Sequence, residues 1–270
     1  MKKHGRYDID NKLQGETLVR KGLMKRHQLI PRMKIVPDLN VVKIGGHGVL
    51  DFGRDIVIPL MKEIGELSRK HKMLVVTGGG VRVRHILDIG IDLGMPTGVL
   101  AELAGKISEQ NAEIVTLLLT QWNGSRVKTG DLLDLPTMLH LGLLPVTHGT
   151  PPYGLYEYPP EMGLIPPHRT DTGALLMAEV LGAKRCILVK NVDGLFTEDP
   201  RVNPKAELIK DITVDELLEM DMEDMVMERK LLYILRDAAT IREVMIINGH
   251  KRGTLERALN GENVGTIIRA

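Results

Sequence analysis

Two lysines stand beside glycine turns at the ends of apolar runs. One is in Val41-Val42-Lys43-Ile44-Gly45-Gly46 and the other in Ile187-Leu188-Val189-Lys190-Asn191-Val192-Asp193-Gly194. A third run, Leu74-Val75-Val76-Thr77, ends in Gly78-Gly79-Gly80. An ammonium group is a compact positive charge suited to phosphate oxygen. Glycine removes the Cβ that would keep an oxyanion from the backbone, and a following helix turns its free N–H groups toward that anion. Residues of these types at these places suit the handling of a nucleotide's phosphates. Thr170-Asp171-Thr172-Gly173 opens an apolar helical pattern. Thr170 or Asp171 suits a helix N-cap, and both also suit the lining of a phosphoryl-transfer site. That chemistry needs positive charge across the reacting phosphates and a carboxylate to organise metal or lysines. Lys190 and Asp193 suit these two roles, and Lys43, Lys190 and Asp171 are the expected catalytic groups. Gly45, Gly46, Gly79, Gly80, Arg82, Thr170 and Asp193 are expected to bind the cofactor. Arg82 and Arg84 fall near a helix N-terminus, where the dipole disfavours them unless an anion or water compensates. The turns match neither the Walker A spacing nor the dinucleotide G-x-G-x-x-G pattern.

The elements that must position these residues alternate. Strands are expected at Asn40–Ile44, Met73–Thr77, Ser125–Lys128, Leu143–Thr147, Cys186–Lys190, Val244–Asn248 and Val264–Ile268. Helices are expected at Asp55–His71, Val81–Leu93, Ile107–Gln121, Thr137–Leu141, Thr172–Leu181, Val214–Met220 and Lys230–Ile241. Such alternation implies an α/β three-layer sandwich with a mostly parallel central sheet, which binds ligands beyond the carboxyl ends of its strands. Residues 1–35 are polar and basic and read as an N-terminal arm with a short helix around Thr17–Met24; residues 36–270 read as one domain. The Pro-, Gly- and Tyr-rich stretch 149–168 is long for a connection, as lids and binding loops are.

Bulk composition narrows the partners. The 270 residues carry 36 basic and 35 acidic side chains, a net charge of +1, so nothing draws the chain as a whole to nucleic acid or membrane. Hydrophobic residues make up 43% and aromatics only 3%, so the core must be aliphatic and rich in Met. Cys186 is the sole cysteine, which excludes an intrachain disulfide. No apolar run has the length of a membrane span, and the basic N-terminus lacks the apolar segment of a secretory signal, so a cytoplasmic location is expected. The nine histidines show no zinc-type spacing. His47, His85, His148 and His168 adjoin glycine or proline turns on the expected site face.

The strand-K-x-G-G, strand-T-G-G-G and V-D-G-L-F-T-E-D-P segments resemble the amino acid kinase superfamily, in the branch that contains uridylate kinase. Over residues 36–270 the chain resembles the molybdenum storage proteins more closely. Gly80-Val81-Arg82-Val83-Arg84-His85, Gly90–Pro96, Pro151-Pro152-Tyr153 and above all Ile165-Pro166-Pro167-His168-Arg169-Thr170-Asp171-Thr172-Gly173-Ala174 carry that likeness. The uridylate signatures G-T-G-N-P-F-F-T-T-D and D-x-M-G-M-L-A-T are missing, so UMP is not the expected acceptor. The resemblance implies ATP with Mg²⁺, with Phe196, Asp199 and Pro200 flanking the base. It implies a hexameric cage, of one chain type or of two related subunits, that hydrolyses ATP and stores molybdate or tungstate as oxide clusters. A storage subunit carries a histidine run after Pro-Pro-Tyr; here Gly154-Leu155-Tyr156 follows. His140, His148, Tyr156 and His168 are the remaining candidates to hold metal. The alternative is a small-molecule kinase with a phosphate or carboxylate acceptor. A regulatory nucleotide-binding protein without turnover is a third reading.

Overall fold

A computed structural model describes residues 31–149, 165–222 and 225–270. The chain divides into residues 1–33 and a compact unit, Lys34–Ala270. The helix expected around Thr17–Met24, the Pro-Pro-Tyr segment and Tyr156 lie outside the described residues.

Strand β1 (Asn40–Ile44) leads through a turn into helix α1 (Arg54–Leu67); β2 (Met73–Thr77) is followed by α2 (Val81–Asp92) and α3 (Thr97–Leu118). Then come β3 (Gly124–Arg126), α4 (Leu135–His140), β4 (Leu144–His148), α5 (Thr170–Leu181) and β5 (Arg185–Lys190). A small antiparallel pair, β6 (Leu195–Phe196) and β7 (Leu208–Ile209), precedes β8 (Asp211–Thr213), α6 (Val214–Glu219) and α7 (Arg229–Asp237). The chain closes with β9 (Glu243–Asn248), α8 (Thr254–Leu259) and β10 (Thr266–Arg269).

The sheet runs β3-β4-β2-β1-β5-β9-β10-β8. Its pairs are parallel except β9 with β10, so the central strands end together at one edge. Side chains alternate between the faces of a strand. Val41, Leu74, Val76 and Leu188 therefore pack with α5 and α7 on one side. Val42, Val75, Ile187 and Val189 pack with α1, α3 and α8 on the other. The result is three layers with an apolar core on each side of the sheet. No helix among the described residues is long and apolar enough to cross a membrane.

Strands β1 and β2 have the bounds that their apolar runs predict. Helix α3 differs: it starts at Thr97, not Ile107. Its turns before Ile107 bury Thr97, Gly98 and Gly105, small or polar residues that break the apolar period. Helix α5 starts at Thr170, with Arg169 as the N-cap residue. Neither Thr170 nor Asp171 caps it. Strands β6, β7 and β8 and helix α8 were not expected.

Candidate functional site

Strand parity decides the centre of the site. Lys43 shares the face of Val41, and Lys190 shares that of Leu188, so both ammonium groups emerge on the α5 side. Asp171, in the first turn of α5, lies between them. Its Oδ1 is 2.6 Å from Lys43 Nζ and its Oδ2 is 2.7 Å from Lys190 Nζ. The Lys43 and Asp171 side chains are only 5% and 6% exposed. Burial opposes ionisation of Asp171, but the two lysines outweigh it and hold the carboxyl well below the usual range. Burial also lowers the Lys190 pKa, against the pull of Asp171. This triad carries one positive charge in excess when all three groups are ionised, which suits a bound polyanion.

The triad opens into a cavity of about 840 Å³. The turns Gly45–Gly48 and Gly78–Gly80, the segment Pro166–Asp171, and Lys190 and Asn191 line it. The glycines serve the chain as well as a ligand. A Cβ on Gly46 would lie 2.1 Å from the Gly80 nitrogen, so the two turns touch backbone to backbone. Gly80 has φ +75°, a conformation that side chains disfavour, and its space is filled by the Asp51 carboxylate. Asp51 accepts from the Val81 N–H at 2.7 Å, so a carboxylate already holds the start of α2.

The other expected residues divide into near and far. Gly45, Gly46, Gly79, Gly80, Thr170 and His168 line the cavity. Arg82 turns toward α3 and donates to Gln110 and Asn111. Asn111 donates in turn to the carbonyls of Gly78 and Gly79 at 2.6 and 3.2 Å, which makes Arg82 a brace behind the turn. Arg84, read together with Arg82 in the sequence, is the arginine of that pair on the cavity wall. Asp193 lies off the cavity lining and pairs with Lys251 at 2.6 Å and Asn248 at 2.9 Å. Phe196 is half-buried in β6, while Asp199 and Pro200 are exposed and Asp199 binds Arg201 at 2.9 Å. Arg201 itself reaches the lining.

The candidate metal residues do not converge within the described chain. His148, at the carboxyl end of β4, meets Arg126 at 3.2 Å, and burial lowers its pKa. His140 lies at the end of α4, by Asp38 and Lys72 at the amino ends of the strands. Among the described residues, no group of three His, Cys, Asp or Glu side chains could hold a metal ion. Cys186 is buried, its thiol pushed up to about 12, and is inert.

Three residues of the site have no motif that reveals them: Asp51, Asn111 and Glu228. Glu228 is buried, lines the cavity and bonds to the start of α5. Its place just after a Met-rich run gives no sign of this.

The model of the Amino acid kinase family matches residues 38–248. The chain belongs to the amino acid kinase family. Within it, the chain is 43% identical over 237 residues to molybdenum storage protein subunit beta of Azotobacter vinelandii, covering 88% of each. It is 32% identical to the uridylate kinase of Thermofilum pendens, covering 86% of this chain and 98% of that one. The crystal structure of uridylate kinase from Archaeoglobus fulgidus superposes with a TM-score of 0.65 at 23% identity. It covers 85% of this chain and 99% of that one, a likeness of fold. Membership of this family and kinship with the storage protein agree with the sequence motifs, and the sheet has the expected α/β three-layer arrangement.

Proposed function

We propose that the chain is a molybdenum-storage-like subunit, which binds ATP at the glycine-lined cavity and accumulates molybdate or tungstate inside an oligomer. The observation that carries the nucleotide half is the buried Lys43–Asp171–Lys190 triad beside two glycine turns. Lys43 and Lys190 contact the phosphates, and Asp171 keeps the two ammonium groups apart and aligned until the nucleotide arrives. Gly45, Gly46, Gly79 and Gly80 admit phosphate oxygens to the backbone, Thr170 lines their path, and the Phe196–Pro200 loop flanks the base. Asp171 is already matched by two lysines, so magnesium arrives on the nucleotide, with phosphates and water as its main ligands. When bound it neutralises charge across the phosphates.

The storage half rests on the 43% identity to a storage subunit. His140, His148, His168 and Tyr156 supply imidazole and phenol to the oxyanion. Because His140 stands at the strand ends opposite His148 and no three described side chains of one chain could hold a metal ion, a cluster draws on several copies, or on a related subunit, in a closed assembly such as a hexamer. Metal analysis of protein from cells grown with molybdate or tungstate is the test. Retained metal that falls on removal of ATP or in His140→Ala supports the reading; substoichiometric metal unaffected by either rejects it.

A small-molecule kinase is the second reading, favoured by the near-complete coverage of a uridylate kinase at 32% identity. A coupled assay separates the two. UMP-dependent ADP release at ~1–100 s⁻¹, the usual kinase range, would establish the kinase; basal ATP hydrolysis indifferent to UMP fits storage.

A further inference from the structure

Helix α5 starts without a cap of its own, since the Arg169 side chain makes no capping bond. The N–H groups of a buried helix start need acceptors. Glu228, from just before α7, supplies them across the fold. Its Oε2 accepts from the Arg169 N–H at 3.0 Å, the Thr172 N–H at 3.1 Å and the Thr172 hydroxyl at 2.5 Å. Its Oε1 accepts from the Asp171 N–H at 2.9 Å. A carboxylate suits the positive end of the helix dipole. Here, however, burial and the neighbouring Asp171 carboxylate both push the Glu228 pKa up. A Ser or Thr at position 169 would cap the helix without a second carboxyl beside Asp171. What Glu228 contributes beyond capping is control of Asp171: the backbone of that residue is tied to Glu228 while its side chain is tied to Lys43 and Lys190.

We propose that Glu228 is a positioning residue of the phosphate site, which fixes the first turn of α5 so that the Asp171 carboxylate stands between Lys43 and Lys190. It rests on the nucleotide-binding reading above and adds to it a residue that acts through another. A misplacement of about 1 Å can cost ~100-fold in rate while binding survives. Glu228→Gln keeps the size of the side chain but only one acceptor oxygen, and its amide N–H groups face backbone donors. Glu228→Ala leaves a hole of carboxylate shape at the helix start.

The test measures ATP affinity and steady-state ATP turnover in the full chain. The expected result is a kcat lowered at least tenfold in Glu228→Gln, with ATP affinity within threefold of wild type. In Glu228→Ala, added formate should restore part of the turnover, because it can refill the vacated carboxylate position. Glu228→Gln with unchanged kcat overturns the proposal, even if Glu228→Ala does not fold. Equal losses of affinity and turnover, with no formate rescue in a folded Glu228→Ala, also overturn it, since they mark a merely structural cap. Wild-type protein that neither binds nor hydrolyses ATP instead sinks the nucleotide reading itself.

Discussion

The same sheet carries a Lys–Asp contact at each end, and the two differ in everything but distance. At the carboxyl edge, Lys43 and Asp171 meet at 2.6 Å; at the amino edge, Lys72 and Asp38 meet at 2.8 Å. The second pair is exposed, 50% and 58%, and water screens it. The first pair is dry, and a third group, Lys190, shares its carboxylate. Exposed pairs contribute little and survive the loss of a partner. Buried ones leave an uncompensated charge when a partner is removed. The contrast shows why distance alone does not single out a functional ion pair: charge that has been taken out of water is what is poised to meet a ligand.

The largest effect should come from Asp171→Ala, which leaves Lys43 and Lys190 buried together without a counter-charge. Loss of one partner of a buried pair costs about 3–5 kcal/mol. Denaturant unfolding should show a loss of that order, and a loss within error of zero would break the comparison. An anion in the medium should return part of it.

Lys190→Ala comes next. On the proposed nucleotide reading it removes a desolvated charge–phosphate contact worth ~1.5–3 kcal/mol, so ATP binding or turnover should weaken at least tenfold. Nucleotide affinity and hydrolysis equal to wild type would remove Lys190 from the site.

Acid distinguishes the two edges more gently. Both aspartates have lowered pKa values, Asp38 through its bond to Lys72, and Asp171 because Lys190 and Lys43 overcome burial. A depressed carboxyl contributes stability that is full above the unfolded value of ~3.9 and is lost as pH falls through the folded value. The Asp38 contribution should be lost first and that of Asp171 last, in stronger acid. Glu228 has the opposite sign: with its pKa raised, stability is gained as pH falls through the folded value. Unfolding curves between neutral pH and strong acid should therefore lose their steepest low-pH limb in Asp171→Asn and change little in Asp38→Asn. Identical curves for the two variants would contradict the ranking.

The smallest effect should be that of Lys72→Ala, within the ~0–1 kcal/mol of an exposed pair. A larger loss would mean that the amino edge, by His140, is more than a solvated surface.

Legibility followed burial and period. Strands β1 and β2 could be read to the residue because every position in them is buried, most are apolar, and each strand runs into a glycine turn. The start of α3 could not, because Gly98 and Gly105 line the cavity there with no apolar repeat to announce them. Lys43, Lys190 and the glycines were legible from their places at strand ends, and Asp171 from the T-D-T-G segment. Arg82 was legible as a residue near the site but not in its direction, since whether it faces the cavity or Asn111 depends on how α2 rotates against α3. Glu228 was invisible, because its partners are 56 to 59 residues away along the chain.

Residue type and strand period, which the sequence contains, therefore determined the family, the layered sheet and the two lysines on one face. The tertiary structure alone decided that one carboxylate would be shared by both lysines, that Asp51 and Glu228 would hold the starts of α2 and α5, and that His140 and His148 would stand at opposite ends of the strands. These are long-range pairings fixed by helix packing and crossover topology, and no local pattern encodes which distant side chain will fill a given buried vacancy.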